Sequence, residues 1–257
     1  MDRSPRSTPR RDAPIGFAHR GASAHARENT LEAFALALEL GATGLESDAW
    51  LSADGVPVLV HDRTIRRPGR RVDVTRRTAA ELAEFRVPSL ADLYAAVGTA
   101  VELSLDIEHE DVALPVVDVA SGHSAEDRLW ACSPSLRVLR SIRRRSPRVR
   151  VVCSTRPRRI VGGVRALLPE LVGLGADALN LHWRDWSPAL VDQVHEAGLL
   201  ALGWDAQERG TIASLLELGI DALYSDWPDR VVEVIAARRM EPGPAEGAPA
   251  AMPAGGL

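Results

Sequence analysis

Three times in 257 residues the chain closes a helical stretch on glycine and runs straight into a short apolar segment. The segments read "ELGATGLES" (39–47), "EAGLLALGW" (196–204) and "ELGIDALYS" (217–225). A glycine just past a helix end supplies the left-handed backbone that stops the helix. The apolar run that follows has the length of a buried strand. A chain built on this rhythm predicts repeated helix-to-strand crossovers and therefore parallel strands. The strand candidates are "IGFAH", "GLESDAWL", "VPVLVHD", "VELSLDIE", "RLWACS", "RVRVVCS", "DALNLHW", "LLALGWD" and "DALYSD". Helical patterns cover 30–40, 78–84, 89–97, 134–145, 158–168, 187–197, 208–218 and 228–239. No helical pattern separates the second and third strand candidates, and Asp54-Gly55 between them is a hairpin turn signal. Those two strands therefore form one antiparallel excursion. The remaining runs close an α/β fold, a (β/α)8 TIM barrel with an early β-hairpin in place of one crossover helix.

The chain length suits one such barrel, placed here at residues 14–240. Residues 1–13 are basic and Pro-rich, and 241–257 are rich in Pro, Ala and Gly, so both tails are expected to be disordered. The N-terminus lacks the apolar stretch of a secretory signal, and no run is long enough to span a bilayer, so a cytoplasmic location is expected. Hydrophobic residues make up 46% of the chain, enough for a large core, and the net charge is −4, which gives no drive toward nucleic acid. The two cysteines, Cys132 and Cys153, lie inside apolar runs and read as buried thiols. All 31 basic residues are arginine. The arginine-rich stretch "SLRVLRSIRRRSPRVR" reads as a solvated outer helix face, with peripheral contact to anionic lipid as the alternative.

Polar residues break the strands near their C-terminal ends. They are His19 and Arg20, Glu46 and Asp48, His61 and Asp62, then Asp106 and Glu108. Residues two apart on a strand face the same way, so Glu46 pairs with Asp48 and Asp106 with Glu108. Carboxylates gathered at the mouth of a barrel are costly without a cation among them. A hard divalent ion, calcium or magnesium, meets that need with oxygen ligands. His182, Trp183 and Trp186 end a later strand, where they either rim the site or pack against the barrel. At the first helix, Asn29 is the expected N-cap, with Glu32 completing a capping box and Gly41 stopping the helix.

The motifs resemble those of the glycerophosphodiester phosphodiesterase family. His-Arg-Gly followed by Glu-Asn-Thr appears as "HRGASAHARENTLEAF" (19–34). Glu-x-Asp, an Asp-Gly turn and His-Asp appear as "LESDAWLSADGVPVLVHD" (45–62). "VPSLADLYAAV", "GWDAQ" and "GIDALYSDWPD" match further family motifs, and the resemblance spans about 15–235. It implies that His19 and His61 are the general acid and base and that Glu46, Asp48 and Asp106 hold the metal. Arg20 would bind the phosphate, and Trp204 would line the substrate pocket. Glu28 would brace the site from its edge. The implied substrate is a small glycerophosphodiester, attacked by its own glycerol hydroxyl and split to glycerol 3-phosphate and an alcohol.

The family's Glu-x-Lys is here "DIE", with Asp106 for the glutamate and Glu108 for the lysine, which reverses a charge at the substrate site. Arg156, just after a strand, is the candidate to supply the missing cation, while Glu108 is expected to pair with an arginine such as Arg63. Arg27, Ser133-Pro134, Asp205 and Gln207 are milder departures. The Glu108 reversal keeps one alternative open, a family member that binds a phosphorylated ligand without turnover. A second alternative is a lysophospholipase D acting on lysolipids.

Overall fold

The computed structural model describes residues 13–67, 69–107 and 109–240. Its strands are β1 (Ile15–Ala18), β2 (Gly44–Leu51), β3 (Pro57–Leu59), β4 (Thr64–Arg67), β5 (Arg70–Asp73) and β6 (Glu102–Asp106), followed by β7 (Leu129–Ser133), β8 (Arg150–Ser154), β9 (Ala178–His182), β10 (Leu200–Trp204) and β11 (Ala222–Ser225). Its helices are α1 (Leu31–Glu39), α2 (Ala79–Ala83), α3 (Leu90–Val97), α4 (Glu110–Gly122), α5 (Leu136–Arg145), α6 (Val164–Leu174), α7 (Pro188–Glu196), α8 (Arg209–Glu217) and α9 (Pro228–Met240).

Eight parallel strands close a ring in the order β1-β2-β6-β7-β8-β9-β10-β11, and β11 pairs back onto β1. β3 runs antiparallel on the far end of β2, with Trp50 opposite Val58, as the Asp54-Gly55 turn predicts. The excursion holds more than that hairpin. Its second ribbon, β4–β5, was not legible in the arginine-rich sequence, yet Ile65 pairs with Val72 and both are buried over Val58 and Leu82. The excursion ends in α3, which packs on α1.

Two apolar layers hold the ring. Inside it, Phe17 stacks on Tyr224 with ring centroids 4.9 Å apart and meets Trp130 edge-on at 5.8 Å. Gly44 exists to admit this cluster, because a Cβ there would sit 2.5 Å from Phe17 Cδ1. Outside the ring, Leu45, Leu103, Leu105, Ala131, Val151, Leu179 and Leu223 pack under the helices. Each fully buried Leu or Val among them contributes about 1.5–3 kcal/mol. Gly41, Gly198 and Gly219 follow α1, α7 and α8 with φ of 88°, 78° and 88°, the left-handed stop read from the sequence.

Three local expectations are corrected. The cap of α1 is Thr30, whose Oγ1 accepts from Ala33 N–H (3.3 Å), and Asn29 stands one residue earlier at φ 54°. α4 was not expected, because Pro115 lies inside it and its His109 cap makes no side-chain bond. Its buried Val112, Ala113, Val116, Val117 and Ala120 nonetheless keep helical spacing. α6 begins at Val164 rather than near 158, since Gly162 and Gly163 both take positive φ and break the chain before it. Both tails, apart from Ala13, and Glu108 lie outside the described residues. Cys132 and Cys153 are buried free thiols.

Candidate active site

The C-terminal ends of the strands open into one cleft of about 350 Å3. Strand alternation aims Glu46 and Asp48 of β2 and Asp106 of β6 into it, and the pairing register sets Asp48 beside Asp106. One carboxylate oxygen from each of the three lies within 4.8 Å of the other two. Glu46 is 3% exposed. Burial and the neighbouring Asp48 and Asp106 push its carboxyl well above the usual range, against the pull of His19. An oxygen-only cluster of three carboxylates, one buried and two half-buried, fits a hard divalent cation.

His19 follows β1 and faces the cleft. Its Nδ1 lies 2.6 Å from Asp226 Oδ1, and its Nε2 lies 3.9 Å from Glu46. Burial works against the Asp226 anion, but hydrogen bonds from His19 and Ser23 hold its carboxyl below the ordinary value. An ionised carboxylate only accepts, so His19 carries its proton on Nδ1 toward Asp226 and turns Nε2 to the cleft. Burial lowers the His19 pKa, yet Glu46 and Asp226 outweigh it and raise it to about 9.

The backbone at this corner is strained. Arg20, Asn29 and Asp205 hold φ of 55°, 54° and 66°, a region side chains other than glycine rarely adopt. At Arg20 the bend sends the backbone N–H to Glu46 Oε2 (2.9 Å). Arg20 Nη1 donates to Glu28 Oε2 (2.9 Å), and Nε lies 3.4 Å from Asp48. At Asn29 the bend ties its N–H to the Arg20 carbonyl (3.0 Å) and turns its amide inward. There Asn29 accepts from Ser47 Oγ (2.6 Å) and donates to Asp48 Oδ2 (3.3 Å).

Of the residues singled out in the sequence, His19, Arg20, Glu46, Asp48, Asp106, His61, Arg156 and Trp204 all line the cleft. His61 enters from the loop after β3, half-exposed, with Nδ1 3.0 Å from Asp62. Glu28 lies outside the cleft and reaches it through Arg20. Glu108 is not described, and Arg63, its expected partner, is held by both oxygens of Asp73. Trp186 is buried on the outer side of the barrel, donating to the Leu202 carbonyl (2.9 Å), and Trp183 stacks against His182. Among the arginines of α5, Arg137, Arg140 and Arg145 pair with Glu110, Glu170 and Asp118 on the exposed face, while Arg143 is part-buried against Asp177.

Sequence reasoning missed two residues. Asp226 was seen only as part of the closing strand motif, though an acid at the end of the strand beside β1 is the signal for a histidine partner. Asn29 was assigned to the helix instead of the site.

The chain matches the model of the Glycerophosphoryl diester phosphodiesterase family over residues 19–230. The glycerophosphodiester phosphodiesterase of Caldanaerobacter subterraneus subsp. tengcongensis is 23% identical over 241 residues, covering 85% of this chain and 96% of the relative. The structure of an Oleispira antarctica phosphodiesterase in complex with the product sn-glycerol-3-phosphate superimposes with a TM-score of 0.77. It is 25% identical and covers 87% of this chain and 97% of that one. A Thermotoga maritima glycerophosphodiester phosphodiesterase has the same fold, with a TM-score of 0.75 at 22% identity over 87% of this chain and 99% of that one. No described helix is long and apolar enough to cross a membrane.

Proposed function

The chain belongs to the glycerophosphoryl diester phosphodiesterase family and is a phosphoric diester hydrolase, and from that premise we propose a mechanism and a site. Residues 14–240 form the catalytic unit, which splits glycerophosphodiesters into glycerol 3-phosphate and an alcohol. Glu46, Asp48 and Asp106 hold a divalent metal, calcium or magnesium. His19 and His61 are the acid–base pair.

The observation that carries this reading is the meeting of three carboxylates within 4.8 Å beside an imidazole with its own acid partner. The bound ion would neutralise negative charge growing on the phosphoryl oxygens. Arg20, oriented by Glu28 and Asp48, draws the diester phosphate to the same corner. One imidazole takes the proton from the attacking glycerol hydroxyl, and the other gives a proton to the departing alkoxide oxygen, which frees the alcohol and leaves a cyclic glycerol phosphate. Water then attacks that phosphorus, the two imidazoles exchange roles, and the ring opens to glycerol 3-phosphate. Asp226 keeps the cleft-facing nitrogen of His19 in place through both transfers. The reading of a ligand binder without turnover rests on Glu108 and draws no support from the described residues.

The test is hydrolysis of glycerophosphocholine by His19→Ala and His61→Ala, with circular dichroism as the folding control. Both variants are expected to stay folded and to lose turnover by about 10²–10⁴-fold. Near-normal turnover in either would sink the acid–base assignment. Chelator is expected to stop the native enzyme, and calcium and magnesium added separately decide which ion restores it.

A further inference from the structure

The cleft has a second wall. β8 stands across the ring from β1, so the turn after β8 faces His19 and Arg20 over the mouth. That turn is a single 3-10 turn, Pro157–Arg159, closed by Arg159 N–H donating to the Arg156 carbonyl (2.9 Å). With three residues per turn, side chains three apart share a face. Arg156 and Arg159 accordingly both line the cleft, and Arg158 does not.

The Arg156 guanidinium lies over the Trp204 ring, 4.4 Å from its centroid. Trp204 is held edge-on by His182, with ring centroids 4.7 Å apart, and His182 Nε2 lies 3.0 Å from Asp205 Oδ2. The guanidinium is thus presented by a fixed support. Arg20 is held at the opposite wall by Glu28 and Asp48. Among the described residues no ion pair engages Arg156 or Arg159.

An aromatic ring at the mouth of a cleft is a natural receptor for a quaternary ammonium group. Here the Trp204 face turned to Arg156 is already covered by a cation. A choline head group would meet two guanidinium charges at this wall, whereas a phosphate or carboxylate would meet two donor forks. We propose that Arg156 and Arg159 form a head-group subsite that selects glycerophosphodiesters whose alcohol bears a phosphate or carboxylate, and rejects quaternary ammonium head groups. The proposal rests on the reading of this cleft as a glycerophosphodiester site.

The test compares kcat/KM for glycerophosphocholine, glycerophosphoinositol and glycerophosphoinositol 4-phosphate, whose head groups are cationic, neutral and anionic. The expected order rises along that series, with the last exceeding the first by about tenfold or more, a gap that narrows with added salt. Arg156→Gln and Arg159→Gln are each expected to shrink the ratio, chiefly through KM for the phosphorylated diester. An equal loss on all three substrates in Arg156→Gln would overturn the proposal and make Arg156 a clamp on the reacting phosphate. Preference of the native enzyme for the choline diester would overturn it too. Calorimetric binding of the same probes separates this idea from the hydrolytic reading. Ranked binding without turnover on any probe removes the hydrolytic reading alone, and equal binding of all three removes the subsite.

Discussion

Asp226 grips the Nδ1 of His19 at 2.6 Å across 207 residues of sequence, because β1 and β11 are neighbours in the closed ring. The contact joins the first barrel strand to the last and fixes which nitrogen of the imidazole meets the cleft.

Asp226→Asn keeps the shape of this contact and removes its charge. The amide lets His19 take the other tautomer, so kcat is expected to fall by about 10²-fold or more with KM little changed. Steady-state kinetics on a glycerophosphodiester check this, and an unchanged kcat would deny Asp226 any part in positioning.

Substitutions at Asn29 separate backbone strain from the side-chain bonds to Ser47 and Asp48. Asn29→Gly accepts the left-handed φ of 54° but drops the bonds to Ser47 and Asp48. Its thermal stability is expected to change little and its affinity for divalent metal to fall. Asn29→Ala keeps the strain and loses the bonds, for a cost of about 1–3 kcal/mol. Urea unfolding and metal titration read the two effects. Equal metal affinity in native protein and Asn29→Gly would remove Asn29 from the site.

The metal-free protein is expected to lose stability as pH rises. Burial, with Asp48 and Asp106, raises Glu46 from 4.5 to about 8, and Glu46 and Asp226 raise His19 from 6.5 to about 9 against its burial. Both folded-state values exceed the unfolded ones, so the native state holds more protons. The stability they contribute is present below the unfolded values and is lost on rising through the folded ones. In chelator, Tm should therefore fall between about pH 5 and pH 9, and the gain in Tm from calcium or magnesium should grow over the same range. Asp73, held down at about 2 mainly by Arg63, titrates outside this window. A Tm that climbs with pH in chelator would contradict the assignment.

Gly44→Ala tests the barrel interior. The new methyl would meet Phe17, which cannot retreat because Tyr224 and Trp130 pack against it. A loss of about 1–3 kcal/mol is expected on urea unfolding. Phe17→Leu in the same chain should recover part of it, and full stability of the single variant would show that the ring has slack.

The ring was legible because each barrel strand is a short apolar run set off by a helix or a turn, and the acidic corner because its carboxylates recur two residues apart. What escaped the sequence was set by contacts far along the chain. Pro115 hid α4, whose stability comes from the face it packs on the barrel. Arginines hid β4 and β5, whose few apolar residues are buried by partners elsewhere. Asn29 has the chemistry of a helix cap, and only the bend that aims it at Ser47 and Asp48 gives it another task. Asp226 is an ordinary strand-end acid until the ring closes beside His19.

The seam between β1 and β11 has a consequence for how activity arises during synthesis. His19 leaves the ribosome early, but its acid partner emerges more than two hundred residues later. A chain arrested before β11 holds all three residues of the carboxylate triad in its sequence and still lacks the acid that orients the imidazole. Under the proposed acid–base roles, proton transfer at His19 waits for the last strand to be seated, and turnover becomes a report on completed folding.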